Sequence, residues 1–295
     1  MHSIDKYKNM AILKTLHKFL SSKNTLFHMN RQKMAFSIKP KEEFIDINSK
    51  KINYLKIGNG PNNIMCFPGA LGTIWSDFKP QIEGLNQDVF TVLVWEPPGH
   101  GFSRPPERIL TSKFYEEDAD TANDLIKALK FEPFSLLGWS DGGISGMIFA
   151  AKYPQSIEKL VIWGANSYVH SKDIENYESI RNIKNWSERA SAPLKKLYGA
   201  ETLQDVQNSW CDAMLEIKRK GGDICGYLLE KIECPTLILH GDKDPLVGLE
   251  HPEHLMTKIK RAKLHRFPEG KHNIHLRYAK EFNDIVTEFL LSKMK

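Results

Sequence analysis

The chain contains no run approaching the roughly 20 consecutive apolar residues that cross a bilayer, so no integral membrane segment is expected. Cysteine is scarce. Cys66, Cys211, Cys225 and Cys234 include no Cys-x-x-Cys pair, and no histidine cluster accompanies them. Neither a metal site nor a disulfide framework is indicated, and the four read as reduced thiols, Cys66 a small core residue in a strand. Internal repeats and low-complexity linkers are missing from the body. Acids are nearly missing from residues 1–36, where six lysines and one arginine face only Asp5. That net of +6 exceeds the +5 of the whole 295-residue chain, which leaves −1 for the rest. A near-neutral body argues against a nucleic-acid-binding surface. With 41% hydrophobic and 26% charged residues, a sizeable core is expected, in one large domain or two small ones. A monomer is expected.

The basic segment has a pattern of its own. Ile12, Leu13, Leu16, Phe19 and Leu20 fall on one helical face, with Lys14 and Lys18 opposite. An amphipathic, basic, acid-poor start without a continuous apolar stretch fits a mitochondrial transit peptide rather than a secretory signal. Lysine dominates where arginine is typical, so two other readings stay open: a basic tail, or sequence upstream of a start at Met34. The location is then mitochondrial or, failing that, cytoplasmic.

Gly138-Trp139-Ser140-Asp141-Gly142 carries the most information. The short apolar run Phe134-Ser135-Leu136-Leu137 before it reads as a buried strand, and Asp141 to Lys152 after it reads as a helix. Strand, sharp turn and helix are the context of a nucleophile elbow. Such a turn strains the serine backbone, and glycines on either side remove Cβ atoms that would clash. Ser140 then stands at a helix N-terminus, where backbone N–H groups can hold an oxyanion.

Two later segments supply partners. The strand-like run from Pro235 to His240 ends in Gly241-Asp242-Lys243-Asp244-Pro245, and that from Leu264 to Phe267 ends in Pro268-Glu269-Gly270-Lys271-His272-Asn273. Alone, Asp244 reads as a turn residue before proline and His272 as a histidine beside a helix. Together, Ser140, Asp244 and His272 follow the chain order of an α/β-hydrolase triad, each just past the carboxyl end of a strand.

Strands and helices alternate through the rest. Residues 43 to 57 predict a two-stranded hairpin broken at Asn48-Ser49 at a sheet edge. Asn63–Phe67, Phe90–Trp95 and Lys159–Trp163 predict buried strands. Helices are expected around Trp75–Leu85, over Thr111–Lys130 with Thr111 or Ser112 as cap, and over His275–Leu291. The fold class is therefore α/β, a mostly parallel sheet with helices on both faces. Residues 165 to 233 interrupt the alternation with helical, aromatic sequence, which reads as a cap over the strand ends. Trp186, Tyr198 and Trp210 fit either a pocket lining or a small core inside that cap.

Several motifs resemble the biphenyl hydrolase-like subgroup of serine α/β-hydrolases, which includes valacyclovir hydrolase. They are Pro68-Gly69-x-Leu71-Gly72, Gly138-Trp139-Ser140-Asp141-Gly142-Gly143, Val161 to Asn166, His240 to Val247 and Pro268 to Asn273. The likeness runs from about Ser37 to Leu291. It implies a mitochondrial hydrolase of α-amino acid esters with Ser140, Asp244 and His272 as its triad, and Ile180 and Leu246 as apolar pocket walls. Glu96 and Pro98 stand where relatives usually carry aspartate and arginine. Asn176 replaces an apolar residue.

The chemistry expected needs no metal or organic cofactor. Ser140 attacks, His272 shuttles the proton, Asp244 fixes the imidazole, and the amides of Ala70 and Asp141 form the oxyanion hole. The Asp141 side chain has two readings. It binds the ammonium of a small-molecule ester with a free α-amino group, an attraction of about 4 kcal/mol at about 4 Å and an effective dielectric near 20. Or it only complements the helix dipole, for under about 1 kcal/mol. The resemblance favours recognition. The rival readings are a lipid esterase, thioesterase or carbon–carbon bond hydrolase, and a non-catalytic binding protein on the same fold.

Overall fold

The structure is a computed structural model that describes residues 40–293. The leader expected over residues 1–36 lies outside them. The described residues build an eight-stranded sheet in the order β1-β2-β4-β3-β5-β6-β7-β8. Its strands are β1 Glu43–Ile47, β2 Lys50–Ile57, β3 Asn62–Phe67, β4 Phe90–Trp95, β5 Phe134–Trp139, β6 Ile157–Trp163, β7 Thr236–Gly241 and β8 Ala262–Phe267. From β4 to β8 all pairings are parallel. Only the β1–β2 and β2–β4 pairings are antiparallel. The hairpin turns at Asn48-Ser49, both at positive φ (49° and 63°), matching the twist of the flanking strands.

The apolar runs became central strands because both faces are covered. β4 is buried at every position. Successive side chains face opposite layers. Leu136 joins Phe67, Trp95 and Phe149 on one face, and Leu137 joins Phe78, Trp163 and Phe282 on the other. The first layer is made by α2 Phe114–Leu129 and α3 Asp141–Lys152, which follow α1 Ile74–Gly84 in the chain. α1 packs instead on the opposite face.

Three helices fill the interruption between β6 and β7: α4 Ser171–Ser179, α5 Glu188–Tyr198 and α6 Ala200–Arg219. Buried polar contacts tie this cap to the body. The Asp173 carboxylate meets His251 Nε2 at 3.0 Å, where His251 lies on α7 Glu250–Lys258. Tyr198 Oη donates to Leu71 O at 3.1 Å and accepts from Gly101 N at 2.7 Å. Tyr198 also belongs to a small cluster with Leu71, Ile183, Leu203 and Val206. The cap therefore has a core, but one shared with the body's loop.

Three details differ from the sequence reading. α2 begins at Phe114, with Thr111 Oγ1 accepting from Lys113 N at 3.1 Å but no side-chain cap on the helix itself. The closing helix is two, α8 Ile274–Arg277 and α9 Ala279–Leu291, because Tyr278 departs from helical dihedrals (φ −112°, ψ 40°). α7 has no counterpart in the sequence reading. No helix among the described residues is long and apolar enough to cross a membrane.

Candidate active site

Ser140 sits between β5 and α3 at φ 54°, ψ −121°, a strained conformation for a residue with a side chain. The positions two residues before and after it must be glycine. A Cβ on Gly138 would lie 2.5 Å from Gly142 O, and one on Gly142 2.1 Å from Phe67 O. The turn is held by Ser140 N donating to Trp163 O at 2.9 Å. The helix that follows begins with Gly143 N and Ile144 N donating to Ser140 O at 2.8 and 3.1 Å.

The chain folds Asp244 and His272 onto this serine. Ser140 Oγ lies 3.1 Å from His272 Nε2, and His272 Nδ1 lies 2.8 Å from Asp244 Oδ2. The other Asp244 oxygen accepts from Leu246 N at 2.9 Å and Val247 N at 3.1 Å. Burial raises the Asp244 carboxyl, but the imidazole and the two amides outweigh it, and its pKa ends below the ordinary value. Burial lowers His272, yet Asp244 more than compensates and its pKa ends raised. Trp139 Nε1 donates to His272 O at 3.0 Å, fixing the histidine loop. Gly164, at φ +57°, leaves room for the ring, since a Cβ there would come within 2.9 Å of His272 Cε1. His275 is no rival base. Trp163 Nε1 donates to its Nδ1 at 2.9 Å, and burial pushes it down to about 3.

The amides of Ala70 and Asp141 donate to no protein group among the described residues. A donor pair at the elbow and after β3 is the arrangement an oxyanion requires. Asp77 on α1 secures the second loop: its Oδ2 accepts from Gly69 N at 2.9 Å, and its other oxygen from Ser76 Oγ at 2.6 Å. Burial pushes Asp77 up to about 7 against those hydrogen bonds. No motif or periodicity in the chain signals this role for Asp77.

Asp141 is 8% exposed. Tyr115 Oη donates to its Oδ1 at 2.9 Å and Trp210 Nε1 to its Oδ2 at 2.8 Å. Burial pushes the carboxyl up to about 6, opposed by those two donors and by the charge of Arg108. Arg108 itself is spent on Asp118, with both oxygens engaged at 2.7 and 2.6 Å. Asp141 is thus a carboxylate beside the nucleophile whose direct partners are neutral.

A cavity of about 820 Å³ lies between α5 of the cap and the body. Ala70, Trp139, Trp186 and Asn273 are among its walls. Ile180 and Leu246 are not. Ile180 ends α4 and packs on the core, its carbonyl accepting from Trp186 Nε1 at 2.8 Å. Leu246 acts through its amide on Asp244. Glu96 is buried and cross-links Asn53 (3.0 Å), Phe102 N (2.6 Å) and Ile74 N (3.2 Å). Pro98 O accepts from Arg108 at 3.0 Å. Asn176 is half-buried on α4 and lines none of the described cavities.

The sheet, the elbow and the Ser–His–Asp chain define a serine hydrolase of the α/β-hydrolase class, and the alpha/beta hydrolase fold family matches residues 62–205. A hydrolase from Pseudomonas aeruginosa superposes with a TM-score of 0.70 at 21% identity, covering 86% of this chain and 100% of that one, which bears on the fold alone. Serine hydrolase BPHL of Mus musculus is 48% identical over 247 residues, covering 83% of this chain and 85% of the relative. Its Homo sapiens counterpart is 46% identical over 257 residues, covering 87% and 88%. The chain belongs to the biphenyl hydrolase-like family of serine hydrolases.

Proposed function

We propose that this serine hydrolase cleaves carboxylic esters of α-amino acids through an acyl-enzyme on Ser140. The observation that carries the reading is Asp141, a buried carboxylate next to the nucleophile with only neutral direct partners. The Ser–His–Asp geometry supports the remaining roles. Asp244 accepts from Nδ1–H and so holds Nε2 as the acceptor that faces Ser140. As Ser140 Oγ attacks the ester carbonyl, its proton moves to Nε2, and the raised pKa of His272 favours that transfer. The amides of Ala70 and Asp141 receive the oxyanion, each such donor being worth about 3 kcal/mol. The imidazolium then protonates the leaving alcohol. Water, activated by the same histidine, releases the amino acid. Every step is carried by this chain's own side chains and amides.

Ammonium recognition follows from charge. An α-ammonium lies two bonds from the carbonyl carbon under attack, within reach of the residue that follows the nucleophile. At about 4 Å and an effective dielectric near 20 the attraction is about 4 kcal/mol before desolvation. The test is a hydrolysis panel of amino acid esters, their N-acetyl forms and plain carboxylic esters. Free-amine esters are expected to be cleaved with the highest kcat/KM. Equal rates across the three sets would reduce the function to an unspecified esterase. The basic leader supports mitochondrial import, and a fluorescent fusion of residues 1–36 that stayed in the cytosol would contradict that.

A further inference from the structure

The cavity between cap and body carries a net positive charge. Arg189 on α5 and Arg277 on α8 both line it. Neither has an ion-pair or hydrogen-bond partner among the described residues, although Arg277 has the Tyr278 ring at 5.7 Å. That is unusual for this molecule. Arg104, Arg108, Arg181, Arg219 and Arg266 each face a carboxylate. Arg261 also lacks a partner, but it borders no described cavity. The one acid in the wall is Asp77, whose carboxylate is committed to Gly69 N and Ser76. Burial pushes Asp77 up to about 7, so at neutral pH it offsets only part of the charge of the two cations.

The position of the cavity says which end of a substrate it receives. It reaches Ala70, an oxyanion donor, and Trp139 and Asn273, the chain neighbours of Ser140 and His272. Asp141 does not border it. Asp141 lines a different and far smaller space together with Arg108 and Asp118. An ester carbonyl held at the oxyanion donors therefore has the acid on one side and the large cavity on the other. About 820 Å³ is ample for a drug-sized group. Resting on the amino acid ester reading, the acyl end belongs to Asp141 and the alcohol end to the large cavity.

We propose that Arg189 and Arg277 form an anion subsite for the leaving alcohol, so that preferred substrates are esters whose alcohol carries a carboxylate or a phosphate-like group. Guanidinium groups bind both anions through paired N–H donors. With the Asp141 carboxylate at the other end, the site would select substrates that are positive at the acyl side and negative at the alcohol side. The apolar walls, Trp186, Leu194 and Leu276 among them, suit the body of such an alcohol.

The test uses the full chain and six esters. Alanyl and acetyl groups are each joined to benzyl alcohol, to 4-carboxybenzyl alcohol and to 4-(phosphonomethyl)benzyl alcohol. Within each acyl series, kcat/KM for at least one anionic ester is expected to exceed that of the benzyl ester by tenfold or more, chiefly through KM. Whichever anion wins names the chemistry of the subsite. In R189Q/R277Q the ratio of anionic to benzyl ester is expected to fall to near one. In R277E it is expected to fall below one, with a 4-(trimethylammonio)benzyl ester gaining. No anion preference in the wild type overturns the proposal, as does a preference that survives the double substitution. The acetyl series separates this outcome from the amino acid ester reading. Anion preference without amine preference sinks only that reading, and amine preference without anion preference sinks only this one.

Discussion

Two carboxylates serve the nucleophile, Asp244 from behind His272 and Asp141 from the next position in the chain, and they differ in ionisation although both are sheltered from solvent. The Asp244 carboxylate is almost wholly out of solvent, and Asp141 is a buried residue. Desolvation is the leading influence on both and raises both. Yet Asp244 ends below its ordinary pKa and Asp141 is pushed up to about 6. The partners explain the divergence. Asp244 holds an imidazole that becomes cationic during the reaction, plus two backbone amides. Asp141 holds a phenol and an indole, both neutral, and the nearby guanidinium of Arg108 is taken by Asp118. The first is an anion the fold stabilises. The second is an anion the fold tolerates, which is the expected state of a charge whose counterion arrives with the substrate.

That contrast makes the two residues separable. Asp244→Asn removes the acceptor that sets the His272 tautomer. A fall in kcat on the order of 10⁴-fold is expected for every ester, with or without an amine. Steady-state kinetics on an amino acid ester and on its des-amino analogue check this, and a loss restricted to one of them would be inconsistent with the role.

Asp141→Asn keeps the shape and both neutral partners while removing charge. At neutral pH its kcat/KM on amino acid esters is expected to drop at least tenfold, about 1.4 kcal/mol, with less than a twofold change on des-amino esters. The backbone N–H at 141 is retained, so the oxyanion hole should survive.

The same substitution is expected to stabilise the fold. A carboxyl raised from 3.8 to about 6 penalises the folded state by about 3 kcal/mol at pH 7. The sign follows from linkage. The penalty is full above pH 6 and disappears as the group protonates in both states below about 4. Asp141→Asn should therefore melt several degrees higher at pH 7.5, and near the wild-type temperature at pH 4. A lower Tm at pH 7.5 would place Asp141 among the fold's stabilising anions, alongside Asp244.

The smallest effect expected belongs to Tyr115→Phe. Losing one donor to Asp141 raises its pKa further, so amine selectivity should be lost at a higher pH than in the wild type. An unchanged midpoint would mean that Tyr115 does not influence the charge.

Much of this was legible in sequence where the signals are local. The elbow, the hairpin at Asn48-Ser49 and the strand ends that carry Asp244 and His272 depend on adjacent residues. The family likeness extended that reading to Asp141. What escaped were contacts made by packing. Asp141 meets Tyr115 and Trp210 across 26 and 69 positions of chain, and no periodicity pairs them. Asp77 supports Gly69 because α1 turns its first carboxylate back on the loop that precedes it. The cap was recognisable as an interruption of strands, but its attachment through Asp173 and His251 joins residues 78 apart. Ile180 and Leu246 were named from the family likeness; neither lines the large cavity, and both also make backbone hydrogen bonds.

The most direct test is the pH dependence of amine selectivity, taken as the ratio of kcat/KM for an amino acid ester to that for its des-amino analogue. His272 governs both substrates alike and cancels from the ratio, which leaves the free-enzyme ionisation of Asp141 on the acid side and that of the substrate's own amine above pH 7. In the wild type the ratio should be high at pH 7 and collapse on the acid side through a single titration near pH 6. In Asp141→Asn it should be low and flat. A wild-type ratio that stays constant from pH 5 to pH 7.5 would contradict the claim that Asp141 recognises the substrate's ammonium.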